Sequence, residues 1–191
     1  MVETAAPPYA IHHYPAHLID RWTAADGRVV LVRPVLPQDD VIAQLFVRRL
    51  SAESRYHRFL VGLTELPPSM LSYFTQIDYT SHLALIAEIF KDGEEIQVGE
   101  ARYVVDTAHG DEPGTKHADF AIAVADDWQR MNVGGRLLRN LEHAAREAGV
   151  THLEGDVLRD NRRALDFMLF RGFRARPNSE EARLVRVSKA L

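Results

Sequence analysis

From residue 28 onward the chain alternates between short runs of strand formers and longer segments with helical spacing. Arg28–Val35, Leu83–Phe90, Ile96–Val105, His152–Leu158 and Ala182–Ala190 read as strands, the second and third joined across an Asp92-Gly93 turn as an antiparallel hairpin. Helical spacing places Val41, Ile42, Leu45 and Phe46 on one face of a first helix. Ser51 with Ser54 opens a second, and Pro67-Pro68-Ser69 starts a third, where a proline costs nothing because its missing N–H would be unpaired. The clearest stretch is Ala118 to Gly149. Phe120, Ile122 and Val124 mark a strand, Asp126-Asp127 a polar break, and Gly134-Gly135 the end of a short loop. Leu137, Leu138, Leu141, Ala144, Ala145 and Ala148 then form the apolar stripe of an amphipathic helix stopped by Gly149. Asn161–Arg171 reads as a last helix, ended by Gly172. This order predicts an α/β (α+β) fold, a mixed sheet with helices on both faces, and a right-handed parallel crossover through the 136–148 helix.

A strand that runs through a glycine loop into a helix start brings free backbone N–H groups and the helix dipole together on one point, which suits an anion. The loop offers the amides of Arg130 to Gly135, with Arg136 and Arg139 close behind. The spacing is neither the dinucleotide Gly-x-Gly-x-x-Gly pattern nor a Walker loop with Gly-Lys-Ser/Thr. Taken alone, a glycine pair before a helix is also a common tight turn.

Composition narrows the class. With 191 residues the simplest organisation is one domain, residues 14–191, behind a flexible arm over residues 1–13 that carries Pro7-Pro8 and lacks periodicity. The net charge of -4 gives no general attraction to nucleic acid or anionic membranes, so neither is expected as a partner. There is no cysteine, which removes disulfides and thiolate chemistry. No apolar run approaches the roughly 20 residues needed to span a bilayer, so the expected location is cytoplasmic. His12, His13 and His17 fall in or beside the arm without Cys partners or an HExxH pattern, so no metal is expected.

Several motifs resemble a known family. Gln129-Arg130-Met131-Asn132-Val133-Gly134-Gly135 is similar to the Gln-x-x-Gly-x-Gly acyl-CoA pyrophosphate loop of GNAT N-acetyltransferases, with Asn132 at the usual first loop glycine. Asn161-x-x-Ala164 followed by Gly172-Phe173 resembles that family's second CoA motif. Narrower likenesses, among them Leu50-Ser51-Ala52-Glu53-Ser54-Arg55-Tyr56, Arg58-Phe59 and Ala101-Arg102-Tyr103-Val104, point to the acetyltransferase domain of Pat-type bacterial protein lysine acetyltransferases, over about residues 14–175. The resemblance implies a mostly antiparallel GNAT sheet of about six to seven strands and acetyl-CoA as acyl-donor co-substrate. Gln129 to Gly135 with Arg136 and Asn161 would bind the cofactor, and the backbone of Ile122, Ala123 and Val124 would pair with its pantetheine arm. The acceptor would be a protein lysine.

The resemblance also implies a carboxylate base on the strand before the loop. Asp119 stands where Pat-type domains carry a glutamate, and His117, two residues earlier on a regular strand, shares its side and could assist or replace it. Met168 occupies the place where many GNAT enzymes have a tyrosine acid. A small amine or polyamine acceptor, or an acyl-CoA sensor without turnover, are the competing readings. The apolar last strand and the arm could each support a homodimer.

Overall fold

The computed structural model describes residues 14–107 and 114–191. The expected N-terminal arm, residues 1–13, lies outside them, as does part of the polar loop near residue 110. The elements in order are β1 (Asp20–Thr23), β2 (Val29–Pro34), α1 (Asp40–Arg49), α2 (Ala52–Phe59), α3 (Pro68–Thr75), β3 (His82–Lys91), β4 (Glu94–Val105), β5 (His117–Val124), α4 (Val133–Glu147), β6 (His152–Leu158), α5 (Arg162–Phe170), β7 (Arg174–Pro177) and β8 (Leu184–Ala190). They build one sheet of eight strands, ordered β1-β2-β3-β4-β5-β6-β8-β7. Every pairing is antiparallel except β5 with β6, which the α4 crossover makes parallel. The count exceeds the expected six to seven because β1 and β7, each four residues long, go beyond the strands read from the sequence.

The β3–β4 hairpin turns through Asp92 and Gly93, both at positive φ, and it supplies the middle of the sheet. Its register slips once, where Val98 is passed over between the Ala87–Gly99 and Glu88–Gln97 pairs. That bulge sits beside the end of β5, and the Ala125 N–H donates to the Val98 carbonyl. On one sheet face α4 lays Leu137, Leu138, Leu141, Ala144 and Ala145 against Leu85, Ala101, Tyr103 and Leu153 in the main core. It seats closely because β4 carries Gly99. A Cβ there would lie 2.9 Å from a Leu137 methyl and 3.2 Å from Val133. The other face takes α1 and α3 through Phe46, Val47, Leu50 and Phe74. The buried stripe of α1 is therefore Ala43, Phe46 and Val47, while Val41 and Leu45, expected inward, are exposed.

Candidate active site

The sheet divides between its two parallel strands. β5 and β6 are paired only over His117–His152, Ala118–Leu153 and Asp119–Glu154. Beyond that point β5 stays with β4 up to the Gly99–Val124 pair, and β6 stays with β8 up to Leu158–Leu184. Ladder alternation runs back from Ala125, whose N–H points to β4. It turns the backbone groups of Ala123 toward β4 and those of Ile122 and Val124 toward the split. A cleft of about 730 Å³ opens there, lined by Ile122, Ala123 and Val124 on one side and Gly155, Asp156 and Val157 on the other.

The cleft continues over the loop before α4. Gln129, Arg130, Asn132, Gly134 and Gly135 line it, as does Asn161 from the start of α5. Among the described residues the amide N–H groups from Gln129 through Gly135 donate to no protein acceptor; the first engaged one is that of Arg136, to the Asn132 carbonyl. A run of unused donors at the start of a 15-residue helix is a strong anion cradle. Asn132 is the helix N-cap at φ 63° and ψ 12°, and Arg130 also has a positive φ. Asparagine thus meets the left-handed requirement that glycine meets elsewhere. Trp128, 2% exposed with the Arg28 guanidinium 3.6 Å from its ring centre, pins the loop from below. Gln129 holds it from above, donating to the Val124 carbonyl at 3.3 Å.

Four expected contributors lie off the cleft lining: Asp119, which stands below its foot, and Met131, Val133 and Arg136. Val133 is buried in the main core, and Met131 packs against that core. Arg136 donates to Asp20 at 3.2 Å and stacks on Trp22, while Arg139 also turns to Asp20. The guanidinium groups that do line the cleft include those of Arg130, Arg163 and Arg171. Arg163 donates to the Gln129 side-chain oxygen, and Arg171 lies across Gly135, where a Cβ would overlap it and the Asn132 side-chain oxygen. Arg171 carries no motif; its place at the end of α5, opposite a helix start, becomes visible only in three dimensions. Asn161 caps α5 through Ala164 N–H at 3.1 Å. Met168 lines the cleft, so this position offers a thioether and no hydroxyl acid.

Asp119 sits at the foot of the split, on the sheet face opposite α4. Its side chain is 62% exposed and accepts from Arg186 at 3.2 Å. Desolvation lifts its pKa above the ordinary aspartate value; Arg186 opposes the rise, and Asp106, Asp156 and Glu154 reinforce it. His117 stacks on His152 with ring centres 4.7 Å apart and lies 3.8 Å from Glu154, so it faces β6 and not the Asp119 carboxylate. Strand register puts His82 on the same face as Asp119, two strands away across Val104, roughly 10 Å off. Asp126 is no catalytic partner: it accepts from Ser51 N–H, Ser51 Oγ and Ser54 Oγ and so ties α2 to the cleft. No group of three metal-ligating side chains occurs among the described residues, and His17 is paired to Glu147.

Comparisons with known proteins bear on the family and the fold. The chain matches the acetyltransferase (GNAT) family over residues 47–173. It is 32% identical over 156 residues to an acetyltransferase of Pseudomonas aeruginosa, covering 81% of each chain. It is 28% identical over 135 residues to the acetyltransferase Pat of Mycolicibacterium smegmatis, covering 71% of this chain and 38% of that one. The crystal structure of the GNAT domain of S. lividans Pat superposes with a TM-score of 0.83 at 27% identity, covering 94% of this chain and all of that domain. The chain belongs to the GNAT acetyltransferase family, whose members use acetyl-CoA. No described helix is long and apolar enough to cross a membrane.

Proposed function

We propose that this acetyltransferase moves an acetyl group from acetyl-CoA to the side-chain amine of a protein lysine, with Asp119 accepting the amine's proton. The observation that carries the reading is the continuity of three features. A strand edge without a partner strand at Ile122 and Val124 leads at one end into the unused amides of Gln129 to Gly135, and at the other to the Asp119 carboxylate. The amides and the Arg130, Arg163 and Arg171 guanidinium groups suit a diphosphate, and the strand edge suits an extended amide-bearing arm by strand addition. Acetyl-CoA supplies the acyl group as a thioester.

A free lysine amine has a pKa of about 10.4, so at neutral pH it must lose a proton before it can attack. Asp119 is exposed, with Oδ1 taken by Arg186 and Oδ2 without a partner among the described residues. Oδ2 accepts the ammonium proton, directly or through one water; the freed amine attacks the thioester carbon, the C–S bond breaks, and the departing thiolate takes up the second proton that the new amide nitrogen gives off. The aspartate side chain is one methylene shorter than glutamate, which favours the relay through water.

A protein acceptor is favoured over a small amine by the shape of the surroundings. The sheet face next to Asp119 presents Glu154, Asp156, Arg186, Arg174 and Arg176, none of them fully buried, in place of an enclosing wall. Thiol release from acetyl-CoA with lysine-bearing proteins and with free amines tests this. Asp119→Ala is expected to lower acceptor-dependent release roughly 100-fold or more while leaving CoA-induced thermal stabilisation in place. Stabilisation by CoA with no turnover on any amine, in the wild-type protein, would instead make the chain a sensor.

A further inference from the structure

Arg186 stands where the sheet divides. The last pair that joins the two halves is Asp119–Glu154, and the neighbouring β6–β8 pair sets Asp156 opposite Arg186. From β8 the guanidinium reaches carboxylates on two further strands. Nη2 donates to Asp156 at 2.9 Å, and Nη1 donates to Glu154 at 3.5 Å and to Asp119 Oδ1 at 3.2 Å. Among the described residues this is the one hydrogen bond made to the Asp119 carboxylate. It crosses from the β6–β8 half of the sheet to β5 at the level where backbone pairing stops.

We propose that Arg186 is a positioning residue for the acetyl transfer, aiming the Asp119 carboxylate toward the acceptor amine and fixing the width of the split without touching either substrate. The inference rests on the reading of Asp119 as proton acceptor. Its physical basis is a shortage of positive charge. Asp119 is faced by Glu154 and Asp156 from β6 and by Asp106 from the segment after β4, while His117 and His152 stack on each other beside it, His117 turned to Glu154. Among the described residues Arg176 on β7 reaches Glu154, at 3.8 Å, and not Asp119. Without Arg186, Asp119 and Asp156 would lose the cation they share, and Glu154 would keep Arg176 at 3.8 Å. The carboxylates would repel, the Asp119 side chain would swing toward solvent, and its affinity for a proton would rise. A guanidinium does this better than an ammonium because its planar fork can serve three oxygens at once.

The experiment compares the pH dependence of kcat/KM for a lysine acceptor in wild type, Arg186→Met, Arg186→Lys and Asp119→Ala. In Arg186→Met the acidic limb is expected to move up by about one pH unit. Its kcat should fall roughly 10- to 100-fold, with KM for acetyl-CoA within about twofold of wild type. Arg186→Lys should return the limb to near the wild-type position, with kcat still reduced several-fold. A role confined to fold stability would lower the melting temperature without moving the limb. If Asp119→Ala is inactive and the Arg186→Met limb stays in place, the positioning role is wrong and the base assignment survives. If Asp119→Ala keeps full activity, the base assignment itself is wrong. Should Arg186→Met fail to fold, the lysine variant decides: kcat and limb both equal to wild type would overturn the proposal.

Discussion

Asn132 shows how one residue can be demanding at two levels. It carries a left-handed backbone at the start of α4, and its side-chain oxygen lies against Gly135. Asn132→Gly keeps the backbone conformation available, so CoA affinity is expected to change little. Asn132→Val forces a β-branched residue to positive φ, a strain of about 1–2 kcal/mol. It should weaken CoA binding by several-fold or more, measured by isothermal titration. Asparagine is legible in the sequence as a glycine substitute because it is among the residues that tolerate this conformation. The partners of Arg136 are not legible: nothing in a linear chain says that Asp20 and Trp22, more than a hundred residues earlier, will claim that guanidinium.

At the scale of elements, α2 is held by polar ties more than by burial. None of its residues is fully buried. Ser51 caps it at the Ser54 N–H, and Asp126 gathers three donors from its first turn. Arg55 donates to the Leu63 carbonyl, and Arg58 to Glu100 at 2.8 Å. Asp126→Ala should cost about 1 kcal/mol of unfolding free energy and raise KM for the acceptor, because Glu53, His57 and Arg58 of α2 line the cleft. Urea denaturation alongside initial rates measures both. Burial raises the Asp126 pKa, but the Ser51 and Ser54 bonds overcome it and leave the pKa below the ordinary value. The difference from wild type should therefore be full above about pH 4 and shrink as the pH falls below it.

Strand and helix signals were readable wherever apolar periodicity was strong, as in the β3–β4 hairpin, α4 and β6. They failed where it was weak. β1 reads Asp-Arg-Trp-Thr and β7 reads Arg-Ala-Arg-Pro, strands recruited by their neighbours β2 and β8 and not by their own composition. The face of α1 is half legible: Ile42 and Phe46 pack inward as expected but Val41 and Leu45 do not, because apolar residues occur on both sides of the helix and only the position of β4 decides which side is inside.

At the scale of the whole molecule, a buried charge network links α2, α3 and the sheet. Glu100 bonds Arg58 and Arg102, and Arg102 Nη1 lies 3.2 Å from His82 Nε2. Burial and then the Arg102 charge pull the His82 pKa from 6.5 down to about 4. The unfolded chain takes up that proton first, so stability falls as pH drops from about 6.5 toward 4, by at most about 3 kcal/mol. Burial pushes Glu100 up, but Arg102 and Arg58 outweigh it and hold the pKa at about 2, so its contribution is present above about 4.5 and fades as pH falls toward 2. Thermal melts across this range should show two successive losses, and His82→Gln should flatten the first while leaving the second. The division between β5 and β6 has one more consequence. Unsatisfied backbone at the rim of a sheet invites other chains to add on. Here the vacant ladder lies between two interior strands, walled by α4 and α5, where another protein's strand with side chains on both faces cannot wedge in. Only a slender, thread-like molecule can complete the sheet, so the protein keeps a sticky edge without the hazard of self-association through it.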